Sequence, residues 1–139
     1  MNFRVGADQG EHVAVRVLDS DALDEYGWLT CEISVRAGAF SVVFGANLRT
    51  PDFPQFRQQL QQLYEDLQSP ATFDTLEGQL SLTLSGDGNG HIDVKGEAED
   101  KAGVGNLLKF HFEIGQTFLP AIIRDLDAIS REHPSGSLR

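Results

Sequence analysis

The chain has 139 residues, of which 40% are hydrophobic and 23% charged, with a single cysteine. This suits one globular domain with its own core and excludes disorder, an internal disulfide framework and a Cys-rich zinc site. Lys and Arg number 11 against 21 Asp and Glu, a net charge of −10. That argues against nucleic-acid binding, since phosphate contacts need a basic face, and suits a basic partner reached by electrostatic steering.

No apolar run approaches the roughly 20 residues that a membrane span needs. The N-terminus, Met1 to Asp8, lacks the apolar stretch of a signal peptide. A cytoplasmic protein without a membrane partner is therefore expected.

Along the chain, Val13, Val15 and Val17 alternate and predict a strand over 12–18, followed by an acidic, turn-like stretch from Asp19 to Gly27. Leu29, Cys31, Ile33 and Val35 line one face of a strand over 28–36, with Trp28, Thr30, Glu32, Ser34 and Arg36 on the other. The next strand, 40–48, turns Phe40, Val42, Phe44, Ala46 and Leu48 to one face. For both apolar sets to meet one core, paired residue numbers must sum to an odd value. Pairing Val35 with Phe40 does so and leaves the four-residue loop 36–39.

A helix follows. Thr50 is placed to cap it, Pro51 stands at its first position, and Phe53, Phe56, Leu60, Leu63, Tyr64 and Leu67 form its apolar stripe. Ser69-Pro70 ends it. Thr72 to Asp74 reads as a short edge strand.

Three more strands have Leu80, Leu82 and Leu84, then Ile92, Val94, Gly96 and Ala98, then Leu108, Phe110, Phe112 and Ile114 inward. A second helix is predicted over 118–132, with Thr117 as its cap and Leu119, Ile122, Ile123, Leu126 and Ile129 on its stripe. Val43 and Leu107 fall out of phase, on the outer face.

Short connections make the pairing antiparallel. The expectation is one α+β domain over 1–134, a twisted antiparallel sheet of about six or seven strands with two helices packed on one face, and a flexible tail over 135–139. The order of strands, helix, strands, helix carries an internal echo too loose to count as a sequence repeat.

No catalytic constellation emerges. Cys31 sits among inward apolar residues, so it reads as a small hydrophobe and not a thiolate. The run Gly86-Asp87-Gly88-Asn89-Gly90-His91-Ile92-Asp93 holds oxygens at calcium-loop spacing, but the sixth and twelfth positions are Ile92 and Ala98, not Gly and Glu. A hairpin turn is the preferred reading, with a weak ion site between Asp87 and Asp93 as its alternative.

With pairs in 91–99 and 107–115 summing to 206, His111 lies opposite Lys95, Asp93 and Glu97 lie diagonal to it, and His91 lies diagonal to Glu113. Cross-strand charge pairing explains this set more simply than a metal site. No metal and no cofactor are expected.

The runs 28–38, 53–67 and LSLTLSGDGNGHI over 80–92, with Gly103 to Asn106, Leu108-Lys109-Phe110 and QTFLP over 116–120, resemble the WapI-type immunity proteins of bacteria. The likeness spans about 28–130. It implies a small cytoplasmic protein that protects a producing cell from its own toxin, without enzymatic activity. It brings no site residues, because its motifs are turn and core positions.

The residues themselves point to Trp28, Glu32, Asp93, Glu97, Glu99 and Glu113 on an outer sheet face and its rim. That face would occlude a cognate toxin, expected to be basic and nuclease-like. Other classes remain open: an enzyme or small-molecule binder with a pocket between sheet and helices, or an acidic homodimeric chaperone or scaffold. Either a monomer or a homodimer fits.

Overall fold

The structure, a computed structural model, describes residues 1–19 and 27–134. The acidic stretch and the C-terminal tail singled out above therefore lie, for 20–26 and 135–139, outside the described residues.

Strands β1 (Asn2–Gly6), β2 (His12–Asp19), β3 (Trp28–Ala37) and β4 (Phe40–Arg49) form one antiparallel meander, followed by helix α1 (Asp52–Asp66). Strands β5 (Ala71–Asp74), β6 (Leu80–Gly86), β7 (His91–Glu99) and β8 (Leu107–Gly115) form a second, followed by a 3-10 turn (Gln116–Phe118) and helix α2 (Leu119–Glu132). The α+β class stands, but the expected single sheet is two four-stranded sheets. The echo in the sequence is thus a genuine repeat of architecture, four strands and a helix used twice.

The sheets divide at α1. It carries the chain away from β4, so β5 pairs with β6 and not with β4. Nor do the helices share one face of one sheet. They pack on each other, α1 lies against β5 of the second sheet, and α2 lies against β1 of the first. Each half thus lends its helix to the other half's sheet. Arg57 and Asp127 tie the two helices with an ion pair at 2.9 Å.

One apolar core runs through both sheets and both helices. At its centre Phe73 of β5 packs against Phe3 of β1 and Phe56 of α1 at ring-centroid distances of 5.6 and 5.3 Å.

Strand β1 is missing from the sequence reading. Its apolar alternation is only Phe3 and Val5, yet both are fully buried. The β3–β4 register also differs. Val35 pairs with Val42 and the turn is the two residues Gly38 and Ala39, so the odd-sum rule holds but the step along the strand was misplaced. Gly38, at φ +59°, takes the left-handed conformation that such a tight turn needs.

The β7–β8 register follows the expected sum throughout, from His91 with Gly115 to Glu99 with Leu107. Neither threonine caps its helix by a side-chain bond. At α1, Asp52 instead reaches back, and its carboxylate accepts the Arg49 N–H at 3.2 Å. Thr50 is buried.

Candidate functional site: the outer face of the second sheet

Alternation puts Ser81, Thr83 and Ser85 of β6, Asp93, Lys95, Glu97 and Glu99 of β7, and Lys109, His111 and Glu113 of β8 on one outer face. The register turns these into rows. Thr83, Lys95 and His111 lie side by side, as do Ser81, Glu97 and Lys109, and Ser85, Asp93 and Glu113. With Asp74 of β5 the face carries five carboxylates against two lysines. It is acidic in sum but patterned in sign.

A shallow depression of about 350 Å³ opens on this face, lined by Ser81, Thr83, Lys95, Glu97, Lys109 and His111. Its floor is closed by Gly96, where a side chain has no room: the Phe110 ring across the strand pair occupies that space, 2.3 Å from where a Cβ would lie.

The six residues singled out from sequence do not form one surface. Asp93, Glu97, Glu99 and Glu113 share the second sheet, whereas Trp28 and Glu32 belong to β3 of the first. Grouping them on one outer face assumed a single sheet, and the break after β4 separates them.

Trp28 is partly exposed, with the Arg49 guanidinium 5.9 Å from its ring centre and Arg49 its strand partner. Glu32 accepts a 3.0 Å bond from Arg16, directly across the β2–β3 pair. Glu99 is partly committed to the scaffold: its carboxylate accepts the Gly103 N–H at 2.6 Å, while Asp100 holds the Asn106 N–H at 2.8 Å. Asp93, Glu97 and Glu113 are exposed.

Two features escaped the sequence. Gln79, buried at the start of β6, donates to the carbonyls of Gly45, Glu99 and Asp100 and so ties β4 to the end of the second sheet. Glu11, in the β1–β2 turn, accepts the Gly38 N–H at 2.9 Å and lines a groove beside β8. Neither has a local signal, because these side chains bond residues 20 to 34 positions away.

The glycine-rich run is the β6–β7 turn. The Asp87 carboxylate accepts the N–H groups of Asn89 at 2.7 Å and His91 at 3.2 Å, and meets the His91 ring at 3.1 Å. The Asn89 N–H above all, with smaller contributions from His91, holds Asp87 below the usual carboxylate range. Its ionised form thus stabilises the turn at neutral pH, and that contribution is lost as pH falls through the lowered value. Among the described residues no three His, Cys, Asp or Glu side chains are grouped to hold a metal ion.

Cys31 is fully buried, and burial pushes its thiol up to about 12. A thiol reagent at mildly alkaline pH is expected to leave the native protein unlabelled and to label one thiol per chain in concentrated guanidinium chloride. Rapid labelling of the native protein would contradict the burial.

Residues 4–134 match the Immunity protein WapI-like family. The chain belongs to that family. An immunity family implies a protein partner, a toxin, and points to a non-enzymatic role. The WapI-like fold seen here is also similar to a crystal structure of Trypanosoma bruciei MRP1/MRP2, with a TM-score of 0.54 and 9% identity over 99% of this chain and 86% of that one. At that identity the likeness is one of fold alone. A search of curated proteins found no match. Among the described residues no helix is long and apolar enough to cross a membrane.

Proposed function

We propose that this WapI-like protein neutralises a cognate toxin in the cytoplasm by stoichiometric, non-enzymatic binding. We place the contact on the outer face of the second sheet, through Asp93, Glu97, Glu99 and Glu113. Family membership is the observation that carries the toxin reading. The surface is supported by its row pattern, in which carboxylates outnumber lysines and alternate with them.

Such a face attracts a basic, nuclease-like toxin over a distance and then selects its register by placing like charges against wrong partners. Trp28 and Glu32, on the other sheet, lie outside this patch. The enzyme reading asked for a pocket between sheets and helices. Phe3, Phe53, Phe56 and Phe73 fill the core there, and what remains between β1 and α2 is an open surface cleft of about 520 Å³ lined by Asn2, Arg4, Asp8 and Asp125.

The test is titration of the purified toxin domain of the same strain into the native protein and into the Asp93→Lys/Glu97→Lys variant. The expected result is 1:1 binding that weakens by about 100-fold or more in the variant. The association rate should fall steeply with added salt. Trp28→Ala is expected to leave the affinity unchanged within about threefold. Equal affinity of the double variant, or binding lost in Trp28→Ala alone, would move the interface to the first sheet.

A further inference from the structure

The core is left open at one corner. Phe40, Val42 and Phe44 of β4 and Leu108 of β8 have the inward parity of their strands. Yet Val42, Phe44 and Leu108 are only half-buried, and Phe40 is 64% exposed. A single exposed apolar residue is ordinary, but several of core parity side by side form a patch.

The corner lies where the β3–β4 turn meets β8. A groove of about 320 Å³ runs there, lined by Glu11, Ala39, Phe40, Leu108, Phe110 and His111. A second groove of about 320 Å³ adjoins it, sharing Glu11 and His111 and lined further by Asp93, Lys95 and Glu113. Together they follow β8 from Leu108 to Glu113, a run of roughly 17 Å along the strand.

The first groove is apolar at Phe40 and Leu108, and the second is acidic. Glu11, Asp93 and Glu113 stand there against one lysine, Lys95, with His111 at the junction. Asp93 and Glu113 face each other directly across the β7–β8 pair, a like-charge pair that costs stability. None of the ion pairs among the described residues engages any of these three carboxylates. A cation seated among them is favoured by all three.

We propose that the toxin inserts side chains into both grooves, an apolar one against Phe40 and Leu108 and an arginine or lysine among Glu11, Asp93 and Glu113. The inference rests on the toxin reading above and names the element that the acidic face receives. Asp93 and Glu113 belong to that face and to the second groove, so the two surfaces are continuous. Glu11 and the β3–β4 turn wall the grooves against β8, which leaves space for side chains and not for a paired strand. An exposed aromatic anchor beside charges that set the register is the usual form of such a contact.

The experiment is calorimetric titration of the purified toxin domain of the same strain into the full chain and its variants. Phe40→Ala is expected to weaken binding by about 30-fold or more. Glu11→Gln, whose amide oxygen still accepts the Gly38 N–H, should weaken it by about 10-fold. Val43→Ala removes a side chain of matching exposure from the other face of β4, and should stay within about threefold. Urea midpoints of all three should match that of the native protein.

As a second measurement, Phe40→Cys is labelled with a benzophenone maleimide, which the buried Cys31 does not take up. Irradiation is expected to join it to one toxin segment holding an apolar and a basic residue about four to six positions apart. The same label on Val43→Cys should give no adduct with that segment. A native protein that binds no toxin would overturn the toxin reading and this one with it. Binding weakened by Asp93→Lys/Glu97→Lys but indifferent to Phe40→Ala and Glu11→Gln would overturn the grooves alone. So would an adduct from position 40 with a second copy of this chain in place of the toxin.

Discussion

Replacing Gly86 with alanine is expected to lower stability by about 3 kcal/mol, among the largest effects of any single methyl group in this protein. Gly86 ends β6 where the sheet meets the C-terminus of α1. A Cβ there would lie 2.0 Å from the carbonyl oxygen of Leu67 and 2.7 Å from its carbon.

Those are backbone atoms, and they are held. Leu67 takes a left-handed conformation at φ 59°, its N–H bonds to the Leu63 carbonyl, and its own carbonyl accepts the Gly88 N–H at 3.0 Å. The Asp66 carboxylate, held well below its usual range chiefly by the Ser69 hydroxyl, receives the Gln68 and Ser69 N–H groups beside it. Neither side of the contact has a flexible side chain to give way, so relief requires moving the helix end or the turn.

Gly38→Ala is the comparison. It imposes the same change at a positive-φ turn with nothing within 4 Å, so it should cost only about 1 kcal/mol. Urea unfolding with an unchanged slope measures both. A Gly86→Ala cost no larger than that of Gly38→Ala would show that the helix end yields freely.

The second large effect is at Phe73. Its ring touches those of Phe3, Phe53 and Phe56 at centroid distances of 5.6, 6.0 and 5.3 Å, and it is almost fully buried. These rings come from β5, β1 and α1, so the cluster joins both halves of the chain at the point where α1 crosses to the second sheet.

Phe73→Ala removes a ring from a closed cluster and leaves a cavity. The expected loss is about 3–5 kcal/mol, or a fall in melting temperature of roughly 10–20 °C. Phe118→Ala deletes the same atoms at a partly exposed position before α2, and should cost about 1 kcal/mol or less. A single cooperative transition in both variants is expected, because each sheet leans on the other half's helix. Two separate transitions in Phe73→Ala would show that the halves are stable alone.

The strands of the second sheet were legible because their alternation is strict. Leu80, Leu82 and Leu84 against Val94, Gly96 and Ala98 admit few registers, and the Asp87 turn sets the step. In the first sheet, parity selected the faces of β3 and β4 but not the step, since a two-residue and a four-residue turn both satisfy it. β1 offered only two apolar residues, too short a pattern to stand out from the N-terminal stretch.

At the site, Asp93, Glu97 and Glu113 were visible as outer positions, Asp93 and Glu97 diagonal to His111 across the β7–β8 pair. That Trp28 and Glu32 lie on a different sheet was not visible, because alternation reports the face of a strand and not the sheet it joins.

By itself the amino-acid sequence determined which residues are apolar on which face, the order of strands and helices, the glycine turn, the acidic surface and the family likeness. These are local quantities, set by side-chain periodicity and turn chemistry over a few residues. The tertiary structure alone decided that the strands divide after β4, that α1 and α2 exchange partners, and that β8 ends the second sheet beside β1 and β3 of the first. Each of these depends on which apolar face meets which across 50 or more residues of chain, where packing and loop closure, not local pattern, select the partner.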